Sequence, residues 1–189
     1  MTRAAVFFLV VSALLPSLAA AGVEVQALGG LQAPLSPLGQ DSFATDHRPG
    51  PGGWGRALWR SGDWGWGLEG MDGAFQRLDQ AGSVSWWQAG VVAAWGFSMD
   101  EVAQDRLALS LGLGMAGIDA GAPLIQRAWT APAGSLGLTY ALPLGSQVDL
   151  LFGASAWGVL GPGGFDPLAA GSVGLGLGWT TSRAKEGNP

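Results

Sequence analysis

Side chains able to do chemistry are scarce in this chain. His47 is its single histidine and stands in Asp46-His47-Arg48-Pro49, with Ser42 five residues before it. A serine, a histidine and an acid are the types that nucleophilic hydrolysis uses, but closeness in sequence is not triad geometry. One histidine and no cysteine remove the nitrogen and sulfur ligand sets of transition metals. Asp41, Asp46, Asp72 and Asp79 are hard oxygen ligands, yet none falls in the ordered spacing of a calcium loop. The runs Gly50-Pro51-Gly52-Gly53 and Gly161-Pro162-Gly163-Gly164 look like phosphate loops. Neither is followed by Lys-Ser/Thr, so turn chemistry accounts for them. The residues thus assign no catalytic, metal or cofactor role, and the expected protein is not an enzyme.

The elements that carry the remaining polar residues alternate with a period of two. Between Arg106 and Gly117, Leu107, Leu109, Leu111, Leu113 and Met115 share one parity, and Ala108, Ser110, Gly112, Gly114 and Ala116 the other. The same design recurs with Leu136, Leu138, Tyr140 and Leu142 against Ser135, Gly137, Thr139 and Ala141. It returns with Val173, Leu175, Leu177 and Trp179 against Ser172, Gly174, Gly176, Gly178 and Thr180. Successive side chains of a strand point to opposite faces, whereas a helix would show a period of 3.6. A soluble sandwich carries charge on its outer face. Here neither face does, which predicts a large apolar face turned to lipid and a small face lining a narrow interior. By parity Glu24, Gln26, Glu69, Gln88, Arg106 and Asp149 point into that interior. Arg56 and Arg60 are further candidates on a segment of ambiguous parity. A buried lone charge is costly, so opposite charges would pair there. A structural ion-pair plug is the favoured reading, ahead of a polar relay or binding cavity. The inward glycines would leave room for trapped water or a small cavity.

Composition agrees. The chain has 33 glycines and 10 tryptophans in 189 residues, only 12% charged residues, and a net charge of −5. High apolar content and low charge exclude disorder, and the acidic balance disfavours nucleic acid as a partner. Residues 1–21 read as a secretory signal peptide. Arg3 is followed by an apolar run from Ala4 to Leu15 and small residues up to Ala21. Residues 22–181 form the expected barrel and 182–189 a short tail.

Eight strands are expected at 22–31, 53–60, 64–71, 83–98, 106–117, 129–142, 147–158 and 171–181, with long and short connections in alternation. Trp64, Trp66, Trp95, Phe97, Tyr140 and Trp179 lie by the short connections or the chain end, where an aromatic girdle meets a membrane interface. With this pattern the chain resembles the small eight-stranded outer-membrane barrels of the OmpA/OmpX class. The likeness covers almost all of residues 22–181 and rests on pattern and topology. It implies an all-β, eight-stranded antiparallel up-and-down transmembrane barrel in the bacterial outer membrane, with both termini periplasmic. It further implies lipid and lipopolysaccharide as surroundings and the barrel assembly machinery as a partner in biogenesis. Members of this class often end in a strand with a terminal aromatic. Trp179 is similar, but ten residues follow it.

The expected role is structural or interactive, binding an envelope protein, a surface ligand or a second copy through loops or wall. The alternatives are a lipid-modifying hydrolase built on His47, a narrow solute channel, and a soluble barrel with its large residues turned inward.

Overall fold

Alternating large and small residues build one closed sheet. The computed structural model describes residues 22–35, 47–77, 83–100, 104–120, 129–159 and 168–181. The expected signal peptide and tail lie outside them, as do Asp41, Ser42, Asp46 and Asp79. The strands are β1 Val23–Pro34, β2 His47–Arg48, β3 Gly50–Ser61, β4 Trp64–Arg77, β5 Ser83–Asp100, β6 Asp105–Ala120, β7 Trp129–Pro143, β8 Val148–Val159 and β9 Leu168–Thr180. Eight of them pair antiparallel with their neighbours, β1 with β9 and β4 with β5, so the barrel closes without an edge. The ninth, two-residue β2, lies beside β4 at Gln76 and Arg77, past the point where β3 pairs at Gly52 and Gly73.

The register sets the tilt. Paired residues lead from Asp72 through Gly53, Gly29, Leu175, Phe152, Tyr140 and Leu107 to Phe97. Phe97 lies two positions past Trp95, the partner of Trp64, so the path returns opposite position 62, a stagger of ten residues. Such a stagger in an eight-stranded barrel tilts the strands by roughly 40° and leaves an interior that side chains fill.

One end carries the short connections, the start of β1 and the end of β9. Ser61 pairs with Trp64 across Gly62-Asp63, and the positive φ of Gly62 (60°) is what a tight hairpin of this kind requires. Asp100 pairs with Asp105, and Leu144 N donates to Val148 O across the β7–β8 turn. At the opposite end the strands outrun expectation. β1 continues to Pro34, β4 to Arg77 and β6 to Ala120, and β9 begins at Leu168, all in segments read as loop from the sequence. Cross-strand pairing sustains these segments although their local sequence looks like turn.

The large-out, small-in rule holds on β6, β7 and β9. Leu111, Leu113, Leu136 and Val173 are about 60% exposed on the outer wall. It fails on the other strands. Leu28, Trp54, Leu58, Phe75, Trp86, Leu151 and Trp157 point inward and are buried. At Gly153 this replaces the expected cavity with side chains. A Cβ at Gly153 would meet Trp54 at 2.5 Å and Leu28 at 2.8 Å, so the missing side chains on one wall make space for large ones from the other.

Candidate functional site

The interior is the one place where this fold gathers polar groups away from solvent. It divides into a charged half near the short turns and an aromatic half towards the long connections.

In the charged half the parity of β3 is resolved, because Arg56 and Arg60 both point inward, flanking Leu58. Glu24 of β1 lies at the centre with its side chain 1% exposed. Arg60 Nε donates to its Oε2 at 2.5 Å, Arg106 Nη2 lies 2.9 Å from each oxygen, and Gln26 Nε2 donates to Oε1. The two arginines reach Glu24 from β3 and β6 and so span the lumen. Arg60 lies over Gly65 and Arg106 over Gly96, where a Cβ would crowd them at about 3 Å. A carboxylate that accepts this many charged hydrogen bonds is rigidly held.

One layer further in, Arg56 Nε donates to Gln26 Oε1 at 2.7 Å and Nη2 to Thr139 Oγ1 at 3.0 Å. Glu69 crosses from β4 to β7, where Ser135 Oγ donates to it, passing above Gly112. Arg56 and Glu69 are direct cross-strand neighbours, yet each is held by neutral partners on other strands. Asp149 is buried on the same inward side of β8.

The aromatic half holds Gln88, a sixth sequence candidate, buried but set apart from the ion pairs. Around it Trp86 and Trp157 stack with ring centroids 4.0 Å apart, and Phe75 lies 6.5 Å from Trp157. Gln32, expected in a loop, is buried here as well, and its Nε2 donates to Asp72 O at 3.0 Å. Gln32 escaped the sequence reading because β1 was ended at Leu31. Its even parity, shared with Glu24 and Gln26, was the available signal. Ser135 and Thr139 stand among the small residues of β7 in the sequence pattern, and in the structure the Thr139 hydroxyl accepts from Arg56 while the Ser135 hydroxyl donates to Glu69.

The six girdle aromatics all lie on the outer wall near the short turns. Trp64 and Trp66 are the most exposed, at 61% and 66%. Trp64 stacks on Trp95 at 6.0 Å, Trp95 packs against Phe97 at 5.5 Å, and Trp59, missed in the sequence, stacks on Trp66 at 5.1 Å. Tyr140 donates to Asp105 Oδ2 at 2.5 Å and packs against Phe152. Trp179 closes the ring on β9, opposite Val25. His47 lies in β2, where its backbone pairs with that of Arg77. Among the described residues no group of three or more His, Asp or Glu is placed to hold a metal ion.

No family model matches the chain, and no curated protein matches its sequence. Solved structures do match. Neisserial surface protein A is 18% identical, with 84% of this chain and 96% of that one covered at a TM-score of 0.62. The N-terminal β-barrel domain of OprF from Pseudomonas aeruginosa is 16% identical, with 85% and 97% covered at 0.52. Ail, the attachment invasion locus protein of Yersinia pestis, is 14% identical, with 84% and 98% covered at 0.51. The chain has the fold of the small eight-stranded outer-membrane barrels. At these identities the likeness is one of fold.

Proposed function

We propose that the protein is an integral outer-membrane barrel that serves as a structural or interaction component of the envelope. The carrying observation is the wall. Leu109, Leu111, Leu113, Leu136, Leu138, Val173, Leu175 and Leu177 tile the outside of a closed barrel whose buried charges, Glu24, Arg56, Glu69 and Asp149, are inside. Water would make that arrangement costly, and a lipid bilayer makes it favourable. From Leu107 to Met115 the apolar row runs roughly 27 Å along the strand, about 20 Å of height at a tilt near 40°, close to the apolar band of an outer-membrane barrel. The girdle would then mark the interface on the side of the short turns, and short turns facing the periplasm would put the start of β1 and the end of β9 on that side.

The interaction role rests on the opposite end. A strand tilted in the bilayer needs about 9–11 residues to cross, and β5, β6 and β7 have 18, 16 and 15. Their ends, with β2 added beside β4, would stand clear of the membrane as a platform for the connecting loops. A channel is disfavoured, because Trp54, Phe75, Trp86 and Trp157 occupy the interior. A hydrolase would have to use His47, the chain's single histidine, which lies in β2 and not on one of the eight barrel strands.

The test is heat-modifiability in isolated outer membranes. A mobility difference between boiled and unboiled samples is expected, with retention in the outer-membrane fraction. Recovery as a soluble periplasmic protein without the shift overturns the proposal. Cross-linking in intact cells, against a matched control barrel, then tests the interaction role, and capture of no partner counts against it.

A further inference from the structure

The aromatic half contains polar groups that the protein itself leaves unpaired. Gln32, Gln88, Trp86 and Trp157 are each 2% exposed. Five of their atoms find no hydrogen-bond partner: Gln32 Oε1, Gln88 Oε1 and Nε2, Trp86 Nε1 and Trp157 Nε1. Buried polar atoms in native proteins are almost always satisfied, by protein or by a bound molecule. The other buried polar atoms without a partner, among the described residues, belong to Arg60, Arg106 and Asp105 near the short turns.

Their placement is specific. Gln32 reaches across β3 to β4, anchored through Nε2 on the Asp72 carbonyl. Its Oε1 and the Trp86 indole converge over Gly73, where a Cβ would stand 2.9 Å from Trp86 Nε1 and still closer to Gln32 Oε1. An acceptor and a donor thus lie side by side against a residue without a side chain. Trp157 is stacked directly on Trp86, and Gln88 lies two residues along the same inward face of β5. The rest of the lining is apolar: Phe75, Met71, Val84 and Val159. The Arg56 and Glu69 head groups are engaged elsewhere, with Gln26, Thr139 and Ser135, and Asp72 contributes only its backbone carbonyl.

We infer that Gln32, Gln88, Trp86 and Trp157 form a binding site for neutral hydroxyl groups in the long-loop half of the barrel. A hydroxyl oxygen accepts from the indoles and the Gln88 amide nitrogen, and its proton is donated to the glutamine carbonyl oxygens. Neutral groups are favoured over ions, because among the described side chains around the site none carries a charge to offset an ion's desolvation. The hydroxyls come from ordered water or from a small polyol such as a sugar. The inference rests on the interior alone and stands apart from the membrane reading.

The experiment uses the full chain in lipid nanodiscs with 15N-labelled indoles, Trp86→Phe and Trp157→Phe serving to assign the two resonances. Transfer of magnetisation to both indole N–H protons from water is expected if the source is solvent. Transfer from added glucose, with a shift of both resonances, is expected if the source is a polyol. Indole protons that contact neither overturn the inference. A second measurement is the urea midpoint of Gln32→Met and Gln88→Met. Occupied amides predict a lowered midpoint for each, whereas a raised midpoint overturns the inference, since it would mean that the amides are simply unsatisfied.

Discussion

The two halves of the interior solve one packing problem by different physics. Near the short turns, two arginines lie over glycines and converge on Glu24, so the lumen is filled by long chains whose heads neutralise one another. Towards the long connections, stacked indoles and a phenylalanine fill the same cross-section with apolar area. The charged half tolerates little, because each group is buried only on condition that its partner is present. The aromatic half is governed by volume, and its cost of change is that of a cavity. A barrel can hold both because its outer wall, rather than its centre, carries the uniform apolar surface.

This contrast can be broken experimentally. Glu24→Ala strands Arg60 and Arg106 without a carboxylate and should lower unfolding free energy by about 3–5 kcal/mol in reversible denaturation. Added salt should leave that loss unchanged, and a loss that salt screens would show a wet lumen and erase the distinction between the halves. Trp157→Ala should cost a comparable amount, about 3–5 kcal/mol, while Trp157→Phe recovers most of it, because shape rather than charge decides there. The same Ala variant sharpens the comparison in planar bilayers: the parent barrel should be silent, and only loss of the aromatic half should raise its conductance. On the wall, Leu111→Arg should cost about 2–4 kcal/mol in a bilayer and much less in the unfolded reference, and a neutral result would place that face away from lipid. The smallest effect is expected of Ser155→Ala, about 1 kcal/mol, from loss of the 2.6 Å hydroxyl contact with Ser172.

Much of this was readable along the chain. Alternation located all eight barrel strands, since side-chain direction in a strand is a local property that neighbours cannot change. Parity groups Glu24, Gln26, Glu69, Gln88 and Asp149, which are buried in the structure, apart from Trp64, Trp66 and Trp95, which are exposed. Strand ends were less legible. Gln32, Asp72 and Leu168 lie in stretches rich in glycine or proline, and pairing with an adjacent strand carries them into the sheet.

What the sequence by itself determined is therefore the direction of each side chain, and with it an apolar outside and a polar, glycine-rich inside. Only the tertiary structure decided which inward residues meet. Glu24 contacts Arg60, 36 positions away, and Arg106, 82 positions away, while Arg56 ignores its cross-strand neighbour Glu69 for Thr139. The stagger of the closed sheet sets those meetings. It brings residues of different strands to one level, and no period within a single strand encodes the offset between strands.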